Sequence, residues 1–95
     1  MFDLKKWLME ILKCPVCKHA PLELYVFVER EEIEEGIIFC SKCRRWYPII
    51  GGIPHLLPDE LRSKSEDVKF LKRWLNEIPE KILKYGLPYN ERDIR

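Results

Sequence analysis

The sequence carries almost no excess charge of either sign, and its apolar residues form no long run. Its 95 residues include 17 basic and 16 acidic side chains, which gives a formal net charge of +1. Such a chain has no overall field that would draw it onto nucleic acid or an anionic membrane. No window approaches the roughly 20 apolar residues of a membrane span, and the N-terminus lacks the features of a signal peptide. We therefore expect a cytoplasmic protein without membrane contact, in which any basic function is local.

The sequence also lacks the motifs of an independent active site. It has no Gly-rich phosphate-binding loop, no nucleophilic Ser in a recognisable context and no paired carboxylates. The two histidines, His19 and His55, are expected to be surface or packing residues rather than metal ligands. The chain is therefore predicted not to be an enzyme and to have no small-molecule substrate of its own.

Hydrophobic periodicity predicts a small antiparallel sheet. Asp3 can cap an N-terminal helix, and residues 22–28 have the period of two of a β-strand, with apolar side chains on both faces near its middle. The charged segment 29–36, ending in Gly36, is expected to turn the chain into a returning strand that begins with "IIFC". Gly51 and Gly52 predict a tight hairpin after "WYPII". Pro48 and Pro54 lack a backbone donor, so their strands should lie at an edge or stop early.

Beyond Pro58 the pattern becomes helical. Ser63 followed by Glu66 fits a helix N-cap, Pro79 should interrupt the helix, and Gly86 should end it. Two C-x2-C pairs, at residues 14–17 and 40–43, are typical of a zinc site. The predicted fold is therefore α+β: a small zinc-ribbon-like antiparallel sheet with an N-terminal helix and a C-terminal helical extension. We expect a zinc-binding ribbon domain at residues 1–62 and the extension at 63–95, packed on or beside it.

The four cysteines form two C-x2-C pairs, "CPVC" and "CSKC". Two such turns at the ends of different strands can place four thiolates around one Zn²⁺. Disulfides would compete, but cytosolic thiols stay reduced, and a redox dithiol would be a single pair beside a βαβ unit. A catalytic zinc would need an open coordination position, which four cysteines close. One structural zinc is therefore predicted, with these ligands: Cys14, Cys17, Cys40 and Cys43.

Two stretches resemble a known family. The opening "LKKWLMEILKCPVCK" and the block "GIIFCSKCRRWYPIIGGIPHLLPDE", residues 36–60, resemble the small zinc-binding multifunctional methyltransferase activator subunit, in its archaeal type. Its members activate tRNA, ribosomal-RNA and release-factor methyltransferases. The resemblance implies a non-catalytic subunit that binds such an enzyme as a heterodimer, with S-adenosylmethionine held only by the partner. The helices expected from Ser65 to Gly86 are extra to this pattern.

In that family the contact resembles strand addition at an apolar sheet edge, where main-chain hydrogen bonds give affinity and side chains give fit. This chain has more apolar groups after the second cysteine pair than a small ribbon needs, which favours a partner surface there. The expected partner-binding residues are Trp46, Tyr47, Pro48, Ile49, Ile50, Ile53, Pro54, Leu56 and Leu57. Part of this set is also expected to form the ribbon's own core.

The alternative is a stand-alone zinc ribbon that binds RNA or DNA. Basic residues near the cysteine pairs could meet phosphates, either in the isolated chain or as an extension of the enzyme's RNA platform. The residues concerned are Lys18, Lys42, Arg44 and Arg45. Without a partner, the apolar edge could also pair with a second copy of the chain.

Overall fold

A computed structural model describes residues 12–20, 22–31 and 33–94. In this part of the chain a four-stranded antiparallel sheet has the order β1-β2-β3-β4. The predicted α+β class is confirmed, and the expected N-terminal helix lies outside the described residues. The strands are β1 (Glu23–Glu29), β2 (Ile33–Phe39), β3 (Trp46–Ile50) and β4 (Ile53–Pro54); the helices are α1 (Lys64–Arg73) and α2 (Glu80–Tyr85).

Strand β2 begins earlier than the charge pattern predicted. It starts at Ile33, and Gly36 lies inside it, opposite Val26 on one side and Ile49 on the other. The prediction that Gly36 ends a turn was therefore wrong. Glycine is needed there for close approach, since a Cβ on Gly36 would collide with the carbonyl oxygen of Tyr25.

The hairpin at Gly51 and Gly52 is confirmed. Both residues have positive φ values, 58° and 80°, as a two-residue hairpin turn of matching twist requires. Pro54 ends the short edge strand β4, as predicted. Pro48, in contrast, lies in the inner strand β3, where its carbonyl accepts a hydrogen bond from the amide of His55. The nitrogen and the carbonyl of one strand residue point to the same side. The Pro48 nitrogen, which has no hydrogen to donate, therefore also faces β4, which is only two residues long.

The C-terminal extension, residues 63–94, folds as the helical pattern predicted. The Ser63 side chain caps α1 by accepting from the amide of Glu66. Pro79 stands at the N-cap of α2, so the two helices are separate. Gly86 follows α2 with φ of −64°, and its backbone passes so close to Ile82 and Trp46 that a Cβ would not fit.

Both faces of the sheet are apolar because each covers a different cluster. One face packs beside the cysteines, with Ile38, Tyr47 and Ile49 buried in a first cluster. The other face packs against the extension in a second cluster, comprising Ile37, Phe39, Trp46, Phe70, Leu71, Ile78 and Ile82. Phe27 of β1 stacks on Trp74, the residue that follows α1, with ring centroids 5.0 Å apart. The extension therefore shares a core with the sheet.

A buried ion pair joins the extension to the sheet. The guanidinium of Arg62 donates to the carbonyl of Trp46 at 2.7 Å and lies over the Trp46 ring at 4.8 Å from its centroid. Its Nη2 is 2.8 Å from Oδ2 of Asp67 in the first turn of α1, and both side chains are almost fully buried. The Arg62–Asp67 contact is therefore a buried pair of opposite charges.

Candidate metal centre

The two cysteine pairs form matching turns. In the first, the Lys18 amide donates to the Cys14 carbonyl at 2.9 Å; in the second, the Arg44 amide donates to the Cys40 carbonyl at 2.8 Å. The residue that follows each second cysteine is left-handed, with φ of 64° at Lys18 and 66° at Arg44. Since non-glycine residues rarely adopt this region, the repeated conformation indicates two turns held in the same shape by a common constraint.

The four sulfur atoms converge. Cys14 Sγ lies 3.5 Å from Cys43 Sγ, and Cys17 Sγ lies 3.5 Å from Cys40 Sγ. All four ligand atoms lie within 4.8 Å of one another, and none of the four cysteines is in a disulfide. A tetrahedral zinc with Zn–S distances of about 2.3 Å places its sulfurs about 3.8 Å apart. The predicted cysteine residues therefore form a cluster of the right size to hold a metal ion.

The electrostatics of the cluster favour uneven sharing of protons between the thiols. Burial raises the pKa of Cys14, but the amides of Cys17 and Val16 and the Tyr47 hydroxyl outweigh it and lower that pKa to about 6. Burial raises the pKa of Cys40 to about 12 and also raises that of Cys43. Four clustered sulfurs, two buried and two partly buried, cannot all ionise without a compensating cation, which is the chemistry a divalent metal supplies.

Two residues outside the cysteine pairs support the cluster. The hydroxyl of Tyr47, on β3, lies 3.2 Å from Cys14 Sγ. The pKa of the Arg45 guanidinium is raised, mainly by its bidentate pair with Asp59 at 2.9 and 2.7 Å and to a lesser extent by the Cys43 sulfur. Outer contacts of this kind orient metal ligands and tune their basicity. The Tyr47 contact was missed by sequence reasoning, because Tyr47 was expected at the partner surface.

The expected partner-binding residues divide between the core and the surface. Trp46, Tyr47 and Ile49 are fully buried within this chain, and Pro48 is buried beside them. Pro54 and Leu56 are partly buried. The exposed members are Ile50, Ile53 and Leu57, of which Ile53 is the most exposed at 63%. Leu61, which was not in the expected set, is 64% exposed in the 3₁₀ turn that follows.

The β4 side of β3 is closed to strand addition along its first residues. The Trp46 amide donates to the Leu87 carbonyl, the Trp46 carbonyl accepts from Arg62, and the Pro48 carbonyl accepts from His55. The margins that remain are the outer sides of β4 and β1. Within the described residues no backbone hydrogen bond outside the sheet reaches β1, whose pairing with β2 is irregular around Val26 and Val28.

The four basic residues expected near phosphates do not act as one group. Lys18, Lys42 and Arg44 are exposed on the two cysteine turns, whereas the Arg45 guanidinium is occupied by Asp59. Arg44 instead lines a hollow with residues of the extension, among them Lys84, Tyr85 and Arg92. Sequence reasoning missed this hollow because its sides lie far apart in the chain.

Comparison with known proteins covers the N-terminal part of the chain. The family model described as Trm112p-like protein matches residues 5–52. A UPF0434 protein of Methylobacillus flagellatus is 47% identical over 56 residues, which is 59% of this chain and 80% of that protein. A UPF0434 protein of Brucella anthropi is 41% identical over 59 residues, which is 62% of this chain and 80% of that protein.

A solved structure is also similar. It is the Trm112 methyltransferase activator of Haloferax volcanii in complex with a methyltransferase, with a TM-score of 0.57 and 42% sequence identity. The match covers 62% of this chain and the whole of that chain. Because the family model spans half of the sequence, and the cysteine cluster and sheet accompany it, the chain belongs to the Trm112p-like family.

Proposed function

We propose that this protein is a non-catalytic subunit that binds, stabilises and activates S-adenosylmethionine-dependent methyltransferases. The proposal rests on the match to the Haloferax volcanii methyltransferase activator, which covers the whole of that protein at 42% identity. The enzymes concerned act on tRNA, ribosomal RNA or a translation release factor, and the partner holds the methyl donor. The chain and the enzyme form a heterodimer in the cytoplasm.

Zinc is the metal we assign to the cysteine cluster. Four cysteine sulfurs within 4.8 Å of one another suit Zn²⁺, and four thiolates complete its tetrahedral coordination without water or substrate. The ion would neutralise the thiolates and fix the two turns to each other. It would thereby stabilise the strand ends that lead into β1 and β3, without taking part in methyl transfer.

The partner surface we propose is the exposed apolar patch at the β3–β4 hairpin. Ile50 and Ile53 are opposite each other across the turn, and Leu57 follows on the same connection. Exposed apolar groups of this kind mark protein contacts, and on the outer side of β4 the Pro54 carbonyl points away from β3 and can accept from a partner strand. The buried residues Trp46, Tyr47 and Ile49 support this hairpin from beneath.

Co-expression tests the proposal. Each methyltransferase encoded in the same genome is produced with and without this chain, and solubility and S-adenosylmethionine binding are measured. We expect at least one enzyme to become soluble and to bind the methyl donor only in the presence of this chain. Recovery of no enzyme in an equimolar complex would contradict the proposal.

Ile53→Asp localises the contact. Because Ile53 is 63% exposed, the substitution should leave folding intact, but it places a charge in the apolar patch and should weaken the complex strongly. Leu75→Asp is the matched control, since Leu75 is 42% exposed and lies on the extension. Equal loss of the complex in both variants would argue against the hairpin patch.

In the described part of the chain, no helix has the length and apolar character to cross a membrane.

A further inference from the structure

A cationic hollow lies between the second cysteine turn and the extension. Its volume is about 320 Å³, and it is lined by Arg44, Lys84, Tyr85, Leu87, Asn90 and Arg92. Three of these side chains carry a positive charge and none carries a negative one. With the exception of Arg44, the lining residues lie outside the segment that the family model matches.

Backbone hydrogen bonds hold the two sides of the hollow together. The Leu87 amide donates to the carbonyl of Arg44 at 2.8 Å, and the Leu87 carbonyl accepts from Trp46 at 3.1 Å. The extension is thus paired with the cysteine turn as a short parallel bridge. The left-handed Arg44 sits at the end of that turn, so metal binding and the extension together fix its position.

The buried side chain of Asn90 shapes the far wall. Its Nδ2 donates to the Gly86 carbonyl at 3.1 Å, while its Oδ1 accepts from the amide of Arg92 at 2.9 Å and from Nε of Arg92 at 3.3 Å. Arg92 is therefore held in place while its terminal nitrogens stay unused within the described residues. Such a guanidinium is prepared to bind an anion, because fewer rotamers are lost on binding.

Tyr85 stands between this hollow and a second one. The neighbouring hollow, of about 300 Å³, is lined by Glu80, Lys81, Lys84 and Tyr85. The Tyr85 side chain is 58% exposed, so its ring is accessible to a ligand. Lys84 pairs with Glu80 at 2.7 Å, but this is an exposed pair four residues apart on a helix, which a stronger anion can displace.

We propose that the cationic hollow between the second cysteine turn and the extension binds the phosphate backbone of RNA. Arg44, Lys84 and Arg92 contact phosphates, and Tyr85 stacks on an unpaired base. Cations around an exposed aromatic ring are the arrangement that proteins use for single-stranded nucleic acid. The three basic side chains give the hollow a local positive charge that can attract phosphates, which the net charge of +1 on the whole chain does not provide. The choice of RNA rests on the proposed function, since RNA is among the substrates of the partner enzymes.

The test measures binding of the zinc-loaded full chain to a fluorescein-labelled 12-nucleotide single-stranded RNA across a range of salt concentrations. In the double variant Lys84→Gln/Arg92→Gln, the slope of log K against log[salt] should become shallower by about 1.4, which corresponds to two lost phosphate contacts. Tyr85→Ala should weaken binding by about 5-fold to 150-fold, and Tyr85→Phe should retain it, because stacking needs only the ring.

The control is Lys69→Gln/Lys72→Gln, which removes the same charge from exposed positions on α1. The RNA affinity of this control should stay within about twofold of the unaltered chain, since surface charges outside the contact act weakly. Absence of RNA binding by the unaltered chain, or equal loss in both double variants, would overturn the proposal.

Co-purification of the methyltransferase is measured in parallel. If Lys84→Gln/Arg92→Gln no longer binds the enzyme but still binds RNA, the cationic hollow is a protein contact and the RNA proposal is wrong. If it loses neither, the RNA proposal also fails while the activator function stands. Loss of RNA with the enzyme retained is the result we expect.

Discussion

The buried ion pair between Arg62 and Asp67 allows a quantitative prediction about the extension. The side chains are 2% and 7% exposed, and Arg62 also donates to the Trp46 carbonyl. Asp67→Leu would leave the guanidinium buried without its counter-ion. Breaking a buried pair by removing one partner costs about 3–5 kcal/mol, so we expect a loss of that size in the free energy of unfolding.

The double variant separates charge burial from packing. Arg62→Met/Asp67→Leu removes both charges and leaves the Trp46 carbonyl as the main unsatisfied group, which costs about 1–3 kcal/mol. The double variant should therefore be more stable than Asp67→Leu alone, although it carries one more substitution. This reversal is the signature of a desolvated pair, because exposed ion pairs give small and additive losses.

The pH dependence follows from the same pair. Burial raises the pKa of the Asp67 carboxyl above its ordinary value, against the opposing effect of Arg62. In Arg62→Met that opposition is gone, so the native pKa lies still further above the unfolded one. The native state then holds the proton more tightly, and the variant's deficit should be smallest at low pH and grow as pH rises through the native pKa.

Urea unfolding followed by tryptophan fluorescence, with zinc in excess, measures these differences. Each variant is compared with the unaltered chain at the same pH, so effects of pH on the metal site are common to both. If Asp67→Leu were as stable as the unaltered chain, the guanidinium would have to be solvated, and the extension would not be docked on the sheet.

Two further variants test the metal centre and the sheet. Tyr47→Phe removes the hydroxyl that lies 3.2 Å from Cys14 Sγ and should lower zinc affinity by about 10-fold to 100-fold in a chelator competition; an unchanged affinity would contradict a supporting role for this hydroxyl. Gly36→Ala puts a Cβ against the Tyr25 carbonyl and should cost about 1–3 kcal/mol in thermal unfolding, whereas a neutral result would mean that β1 and β2 are further apart than described.

The metal cluster could be predicted from sequence because its spacing is a local property. Each C-x2-C pair forms its turn from adjacent residues, and the only non-local requirement is that two strand ends meet. The hairpin at Gly51 and Gly52 and the cap at Ser63 were predictable for the same reason. In each case the conformation depends on a few neighbouring residues.

The start of β2 could not be predicted from the charge pattern. Glu34 and Glu35 looked like loop residues, yet they lie in a strand where Glu35 pairs with Arg73 of α1 at 3.2 Å. The partner that makes a half-buried carboxylate acceptable is 38 positions away. Tertiary contacts of this kind override strand propensity, and a single sequence does not reveal them.

The sequence also did not predict on which face of the sheet each aromatic residue lies. Trp46 and Tyr47 are adjacent, so they point to opposite faces, and both faces are apolar. Trp46 packs under the extension and Tyr47 reaches the cysteines, which leaves neither for a partner. Many apolar residues follow Cys43, as the sequence analysis noted, but most of them are buried in the two internal clusters.

The most direct test of the central claim is a methyl-transfer assay with purified components. The chain alone, the co-purifying methyltransferase alone and their equimolar mixture are each given labelled S-adenosylmethionine and the RNA or protein substrate. We predict transfer by the mixture, little by the enzyme alone and none by this chain. Transfer by this chain alone, or full activity of the enzyme without it, would contradict a non-catalytic activating role.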